Sequence, residues 1–233
     1  MSGWSELGDG LVVVDGPVVR DTGMPFTTRM TVVTLSDGSL WVESPVPASY
    51  ETLTRLTGIG PVRHLVSNTP RHVWRLDAWH ELFPDAELWS VRHTPVTLRR
   101  TTLPLSGVLG ADPPAAWAAD LDQAPLLGSR LLEEVCFFHR RSRTLVLGDV
   151  VQVHQQLPGR AFSNAVKRWG GVAAPDGGTS VDIRLSFRDR GALRASVRRV
   201  LDWDFSQVVL AHGPVVTHDA RAFVERAFAW ALD

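Results

Sequence analysis

The chain has 233 residues, 44% of them hydrophobic and 21% charged, with a formal net charge of −1. That apolar content can bury one large core, and α/β sandwiches of this size commonly form one domain, so residues 1–233 are read as a single domain. The near-neutral charge gives no electrostatic reason to expect nucleic acid or anionic lipid as a partner, and no run approaches the roughly 18 apolar residues of a membrane span. Met1 to Glu6 lacks the basic and apolar regions of a signal peptide, which points to a cytoplasmic protein acting on a small-molecule substrate or ligand. Oligomeric state is not legible. Cys136 is the only cysteine, which rules out an internal disulfide and a thiolate-rich zinc site, so any metal must be held by His, Asp or Glu. Lys167 is the only lysine, and biased genome composition explains that as readily as function does.

In chain order, Leu11–Val14 is a β-branched run. Met30–Leu35 and Leu40–Glu43 flank Asp37-Gly38, the signal of a hairpin whose glycine tolerates positive φ. Ser49 is placed to cap a short helix through Leu53 and Leu56, closed by Gly58. Val62–Val66 is a strand, Asn68–His72 a loop containing Pro70, and Val73–Phe83 a helix stopped by Pro84. Ala86–Ser90 returns to strand, completing an α/β succession. Pro104–Pro125 is expected to be a surface excursion with a short helix over Ala115–Leu121. Glu134–His139 and Arg143–Leu147 bracket a polar turn as a second hairpin, and the two hairpins hint at a duplicated architecture. Leu157–Trp169 is read as a helix. Gly170–Gly178, rich in Gly, Ala and Pro, is expected to be mobile and is a candidate cover for the site. Leu193, Val197, Val200 and Leu201 give Arg188–Trp203 a helical period, and Phe223, Val224, Ala227, Phe228 and Ala231 do the same for a terminal helix.

Two strand ends carry chemistry. Val146-Leu147-Gly148-Asp149 closes one apolar strand on a carboxylate, and Val208 to Pro214 closes another on His212. Strand ends are where open α/β architectures hold ligands. Each residue also has an ordinary structural role open to it: Asp149 as a turn cap, His212 as a buried histidine bonded to backbone, Asn68 as a loop-backbone partner. His139 and His154 are read first as solvated turn histidines and second as support for a site. Glu133 and Glu134 precede a strand whose alternation lets only one face inward. Arg140, Arg141 and Arg143 read as a solvated face, with a phosphate grip as the alternative. Trp74, Trp79, Trp89 and Trp203 are assigned to the core and a pocket rim. No nucleophile elbow, phosphate-binding glycine loop or dinucleotide fingerprint is present.

Asn68, His72, Trp79 and Pro84-Asp85-Ala86, followed by Phe137-Phe138-His139, Ser142-Arg143-Thr144-Leu145, Asp149 and Ala211-His212-Gly213, resemble the DUF4336 family. That family is a divergent branch of the metallo-β-lactamase-like superfamily, and the likeness runs from about Met30 to the C-terminus. It implies a four-layer αββα sandwich. It also implies a comparison with the superfamily's His-x-His-x-Asp-His motif, which puts Asn68 and Pro70 at the first two histidines, His72 at the aspartate and Val73 at the last histidine. Arg130 falls where a further histidine is expected. One metal position therefore loses three histidines, while His72, Asp149 and His212 remain for the other.

Two imidazoles and a carboxylate can hold one divalent ion and leave positions open for water or substrate. Zinc is the first expectation, iron or manganese the alternatives, and no metal at all a further one. Three functions follow. The first is a mononuclear metal-dependent hydrolase of an ester, lactone, amide or phosphoester, with Asp149 as ligand and catalytic residue that orients the attacking water. The second is a metal-free binding or scaffold module, and the third a non-haem iron oxidoreductase.

Overall fold

A computed structural model of the chain describes residues 3–21, 24–94, 97–98, 101–156 and 158–233. The first half supplies β1 (Gly3–Gly8), β2 (Leu11–Asp15), β3 (Val19–Asp21), β4 (Met24–Phe26), β5 (Arg29–Thr34), β6 (Leu40–Glu43), α1 (Tyr50–Ile59), β7 (Val62–Ser67), α2 (Leu76–Leu82), β8 (Glu87–Ser90), β9 (Thr97–Leu98), β10 (Thr101–Thr102) and β11 (Leu105–Val108). The second half supplies β12 (Leu121–Leu126), β13 (Glu134–His139), β14 (Thr144–Leu147), α3 (Ala161–Trp169), α4 (Val181–Ser186), α5 (Arg190–Leu201), β15 (Gln207–Leu210) and α6 (Ala220–Leu232). One sheet runs β1-β2-β5-β6-β7-β8-β11 and the other β12-β13-β14-β15, while β3-β4 and β9-β10 are separate two-stranded ribbons.

Alternation along β2 shows why the layers form. Leu11 and Val13 enter a cluster between the two sheets with Trp41, Val66, Phe137, Val146 and Val209, whereas Val12 and Val14 pack with Leu56, Leu76 and Trp79 under α1 and α2. On the far sheet, Cys136, Phe138, Leu145 and Leu147 face Leu193, Val197, Val224 and Phe228 of α5 and α6. Strands covered on both faces must be apolar on both, which accounts for the unbroken Val/Leu runs. Helix, sheet, sheet, helix is the four-layer order expected from the sequence. The two hairpins hold equivalent places: β5-β6 and β13-β14 are antiparallel, and β6 and β14 each pair in parallel with a later strand, β7 and β15.

Ser49 caps α1, accepting from the Thr52 amide, and the helix runs on to Gly60 rather than closing at Gly58. The helix expected from Val73 begins as a single 3₁₀ turn, Val73–Arg75, before α2. Three expectations fail. Ala115–Leu121 is a run of turns rather than a helix, and its last residue opens β12. The helix read from Leu157 starts at Ala161. The Gly170–Gly178 segment is tied down, since Gln152 and Gly178 exchange both backbone bonds at 2.9 Å and His154 bonds Val172 and Ala174 through its backbone at 2.7 and 2.9 Å.

The arginine-rich turn is engaged too. Arg140 grips Asp122 at 2.6 and 2.8 Å, Arg143 reaches Asp204 at 2.7 Å, and Arg141 donates to the Thr34 carbonyl of the other sheet. His139 is not a solvated turn residue. It is fully buried, with Nδ1 2.7 Å from Ser142 Oγ, and burial, helped by Arg141, lowers its pKa to about 4.

Glu134 opens β13 fully buried, and its carboxylate accepts the backbone N–H groups of Gly148 at 2.9 Å, Asp149 at 2.7 Å and Val150 at 2.8 Å. Burial and the nearby Asp149 carboxylate raise its pKa to about 7 against these three donors. The loop after β14 is thus clamped by a side chain from the neighbouring strand. Gly148 is required on steric grounds as well, because a Cβ there would meet the Asn68 amide and Thr69 Cγ2 at 2.8 Å.

Glu134→Gln leaves at least one of those amide hydrogens facing an NH₂ group, an unsatisfied pairing that costs about 1–3 kcal/mol in denaturant unfolding. His139 gives the pH dependence. The unfolded chain protonates it near 6.5 and the folded chain only near 4, so the unfolded state binds more protons in that window and stability falls as pH drops through it. The loss is on the order of 3 kcal/mol. His139→Asn, which keeps a polar atom for Ser142, flattens this acid limb in unfolding curves taken from pH 7 to pH 4. The remaining slope includes His154, whose pKa is also lowered to about 4.

Candidate metal centre

The carboxyl ends of four parallel strands meet at one edge of the sandwich. β6 delivers Glu43 and Ser44, β7 the loop from Asn68 to His72, β14 Asp149, and β15 His212. His72, Asp149 and His212, far apart in sequence, are brought together, while Asn68, Glu133 and His139 are not part of the cluster. His72 Nε2 lies 3.3 Å from His212 Nε2 and 3.4 Å from Asp149 Oδ1, and His212 Nε2 lies 3.2 Å from that same oxygen. Charge-assisted N–H···O bonds close to about 2.7–2.9 Å, so each edge of this triangle is longer than such a bond. An ion with tetrahedral bonds of ~2.0–2.1 Å spaces its ligand atoms about 3.3–3.4 Å apart. The donor set and its spacing both fit a divalent ion.

Surrounding bonds aim the three side chains. His212 Nδ1–H donates to the Thr27 carbonyl at 2.7 Å, which turns Nε2 toward His72 and Asp149. His72 Nδ1–H donates to Ser44 Oγ at 2.5 Å, and that hydroxyl donates in turn to buried Glu43. Ser44 is held at φ +53°, an uncommon left-handed conformation for serine, at this junction. The second carboxylate oxygen of Asp149 accepts from Thr69 Oγ1 at 2.7 Å, which fixes the rotation of the group. Bonds of this kind set both the tautomer and the basicity of a ligand.

Electrostatics follow from the packing. Burial opposes a charge on His72, but the Asp149 and Glu43 carboxylates outweigh it and raise its pKa to about 10. Burial likewise opposes the charge on Asp149, and the two imidazoles hold its carboxyl well below the usual range. The raised pKa favours a proton on His72, and a metal ion held by these three residues would have to displace it.

The positions assigned to the lost histidines lie elsewhere. Val73 is buried in the helix-side core, Arg130 is exposed, and the Asn68 amide is fully buried against Gly148 with no hydrogen-bond partner among the described residues. Thr69, Ser44 and Glu43 were not identified from the sequence, and Glu134, singled out there with Glu133, proves to be the inward one of that pair and clamps the loop after β14. The available signal was a carboxylate at the end of a buried strand (Glu43) and another at the start of one (Glu134), where an unpaired charge is too costly to leave without a purpose.

The triad opens on a cavity of about 730 Å³ between the β3-β4 ribbon with Pro45–Pro47 on one side and α3, Val172 and α4 on the other. Trp74 lies half exposed on its lining, whereas Trp79 is buried and donates to the Val46 carbonyl at 2.8 Å. His154 also lines it. Gln152 donates to the Asp149 carbonyl at 2.7 Å and turns its own oxygen to His154 Nε2 at 2.6 Å, so that nitrogen is the donor and Nδ1 carries the lone pair.

The metallo-β-lactamase from Erythrobacter litoralis is 15% identical to this chain, with a TM-score of 0.64 over 99% of this chain and 92% of that one. The metallo-β-lactamase from Pontibacter korlensis is 12% identical, with a TM-score of 0.63 over 98% and 99%. The metallo-β-lactamase FIM-1 from Pseudomonas aeruginosa, solved in its mono-zinc form, is 9% identical, with a TM-score of 0.65 over 100% and 97%. At these identities the likeness is one of fold. A search of curated protein sequences found no match. No helix among the described residues is long and apolar enough to cross a membrane. The family model described as a domain of unknown function, DUF4336, matches residues 22–167, more than half of the sequence. The chain belongs to the DUF4336 family and has the metallo-β-lactamase fold.

Proposed function

We propose that the protein is a mononuclear metal-dependent hydrolase of a small-molecule ester, lactone, amide or phosphoester. His72 Nε2, Asp149 Oδ1 and His212 Nε2 would hold one divalent ion, zinc in the first instance. What supports this is the near-equilateral triangle of 3.2–3.4 Å edges, with Nδ1 of each imidazole already committed to another partner. Bound there, the ion would supply Lewis acidity and bring the pKa of water toward neutrality. Thr69 holds Asp149 so that one oxygen faces the ion while the carboxylate orients water entering from the cavity. Ser44 and Thr27 keep the imidazoles from rotating, and the Gln152–His154 pair presents a hydrogen-bond acceptor to the substrate side. A single ion is favoured because the Asn68 amide is buried against Gly148 and Arg130 is exposed, leaving the other metal position without those two ligands.

Elemental analysis of the purified protein should return about one equivalent of zinc. Chelation should abolish slow hydrolysis of p-nitrophenyl acetate or bis-p-nitrophenyl phosphate, and added zinc should restore it. The Asp149→Asn/His212→Ala double variant should lose the metal with an unchanged far-ultraviolet dichroism spectrum. Failure to take up any metal would favour the scaffold alternative, two equivalents would defeat the mononuclear reading, and iron with oxygen consumption would favour redox chemistry. Thr69→Val leaves the three ligands in place but frees the carboxylate, and should weaken zinc affinity about 10-fold in a chelator competition.

A further inference from the structure

Lys167 is a buried cation without a buried counter-charge. It lies on α3 and lines the cavity, yet it is only 3% exposed. Its ammonium has three N–H groups. Among the described residues it makes one bond, to the Gln155 carbonyl at 3.0 Å, and no carboxylate lies within ion-pair distance. Arg29, also buried and lining the same cavity, shows how this fold pairs a cation, with Asp15 at 2.7 Å and the carbonyls of Leu210 and Gly213 at 2.9 and 2.6 Å. A buried charge left with a single carbonyl is costly unless a ligand completes its pairing.

The charges around it point the same way. Arg71 and Arg75 also line the cavity and make no ion pair among the described residues. The carboxylates on its wall are Asp149, engaged with the two histidines, and Asp182 at the exposed start of α4. His154 lies near both His212 and Lys167 and burial keeps it neutral, so it neither adds to nor cancels the positive charge. Large apolar side chains dominate one side of the mouth, beside polar residues such as Thr28, Gln152 and Ser180. Trp169 is 79% exposed and Leu185 64%, and Phe162, Val166 and Trp169 follow one another at helical spacing on one face of α3. Large apolar side chains gathered in water at a cavity mouth mark a ligand surface, and about 730 Å³ suits a small organic molecule.

We propose that this cavity binds anionic amphiphiles, the anionic group taken by Lys167 Nζ and an aryl or alkyl body held against Phe26, Val166, Trp169 and Ile183. Cleavage of such a molecule rests on the hydrolase reading; its binding does not. The substrate class is then an ester, lactone, amide or phosphoester that carries a negative charge and a bulky apolar group.

The test is binding to chelator-treated protein, using 8-anilino-1-naphthalenesulfonate and its uncharged counterpart N-phenyl-1-naphthylamine, followed by fluorescence. The wild type should bind the sulfonate at one site and more tightly than the neutral probe. Lys167→Met should weaken the sulfonate about 10- to 100-fold, the loss of a charged hydrogen bond, and shift the neutral probe by less than about 2-fold. Lys167→Arg should keep the preference for the anion, and Trp169→Ala should weaken both probes together. Equal affinity for the two probes in the wild type, or equal losses in Lys167→Met, would overturn the proposal. Should Lys167→Met not fold, comparison of the two probes on the wild type and on Lys167→Arg decides the matter. Asp149→Asn/His212→Ala should retain the preference for the anion. A protein that takes up no metal yet still prefers the sulfonate would sink the hydrolase reading and leave this one standing.

Discussion

His72 Nε2, Asp149 Oδ1 and His212 Nε2 are held 3.2–3.4 Å apart in a buried cluster, and the surrounding hydrogen bonds keep them there. Two of the three carry a hydrogen bond on the far side that fixes which nitrogen faces inward, and the third has its free oxygen tied to Thr69. Left to relax, the side chains would rotate apart or close into shorter hydrogen bonds. They do neither because each is bonded from behind. Asp149 and Glu43 raise the pKa of His72 to about 10 despite its burial, which favours a proton on the cluster.

That arrangement depends on strand ends staying in register across two sheets. Leu147 of β14 lies opposite Leu210 of β15, so Asp149 and His212 leave their strands side by side. Glu43 of β6 pairs with Val66 of β7, which places Ser44 next to the loop that carries His72. The inter-sheet cluster of Trp41, Val66, Phe137, Val146 and Val209 locks one pair of strand ends against the other. Glu134 completes the scaffold by clamping Gly148–Val150 through three backbone N–H groups. Removing any of these contacts moves a ligand without touching it, and ligand positions tolerate errors of only about half an ångström.

The α/β succession was legible because strands buried on both faces read as continuous apolar runs, and the four-layer order came from the family resemblance to which Asp149 and His212 at strand ends contributed. His72 was found through a family resemblance, its loop offering little local pattern. What stayed hidden shares a cause: it depends on contacts between distant segments. Ser44 reaches His72 across 28 positions and Thr69 reaches Asp149 across 80, pairings for which one sequence holds no periodic signal. β12 falls where Pro104–Pro125 reads as a surface excursion; it is an edge strand of its sheet, and an edge tolerates Pro125. The Gly170–Gly178 segment was read as mobile from its composition, but composition does not reveal that its backbone pairs with Gln152–His154.

The residues standing where the superfamily carries further histidines show how a two-ion arrangement can be reduced without losing the fold. Val73 joins the core under α1 and α2, a place that favours an apolar side chain over an imidazole. The Asn68 amide fits beside Gly148, where its bulk helps to hold the strand-end loop. One ion provides less charge stabilisation than two, which leaves more of the transition-state charge to the protein's own cations. Lys167, Arg71 and Arg75 line the same cavity as the triad and have no carboxylate ion-pair partner among the described residues. If one ion is held as proposed, the uncommitted cations on the same cavity wall would suit a substrate that brings its own negative charge.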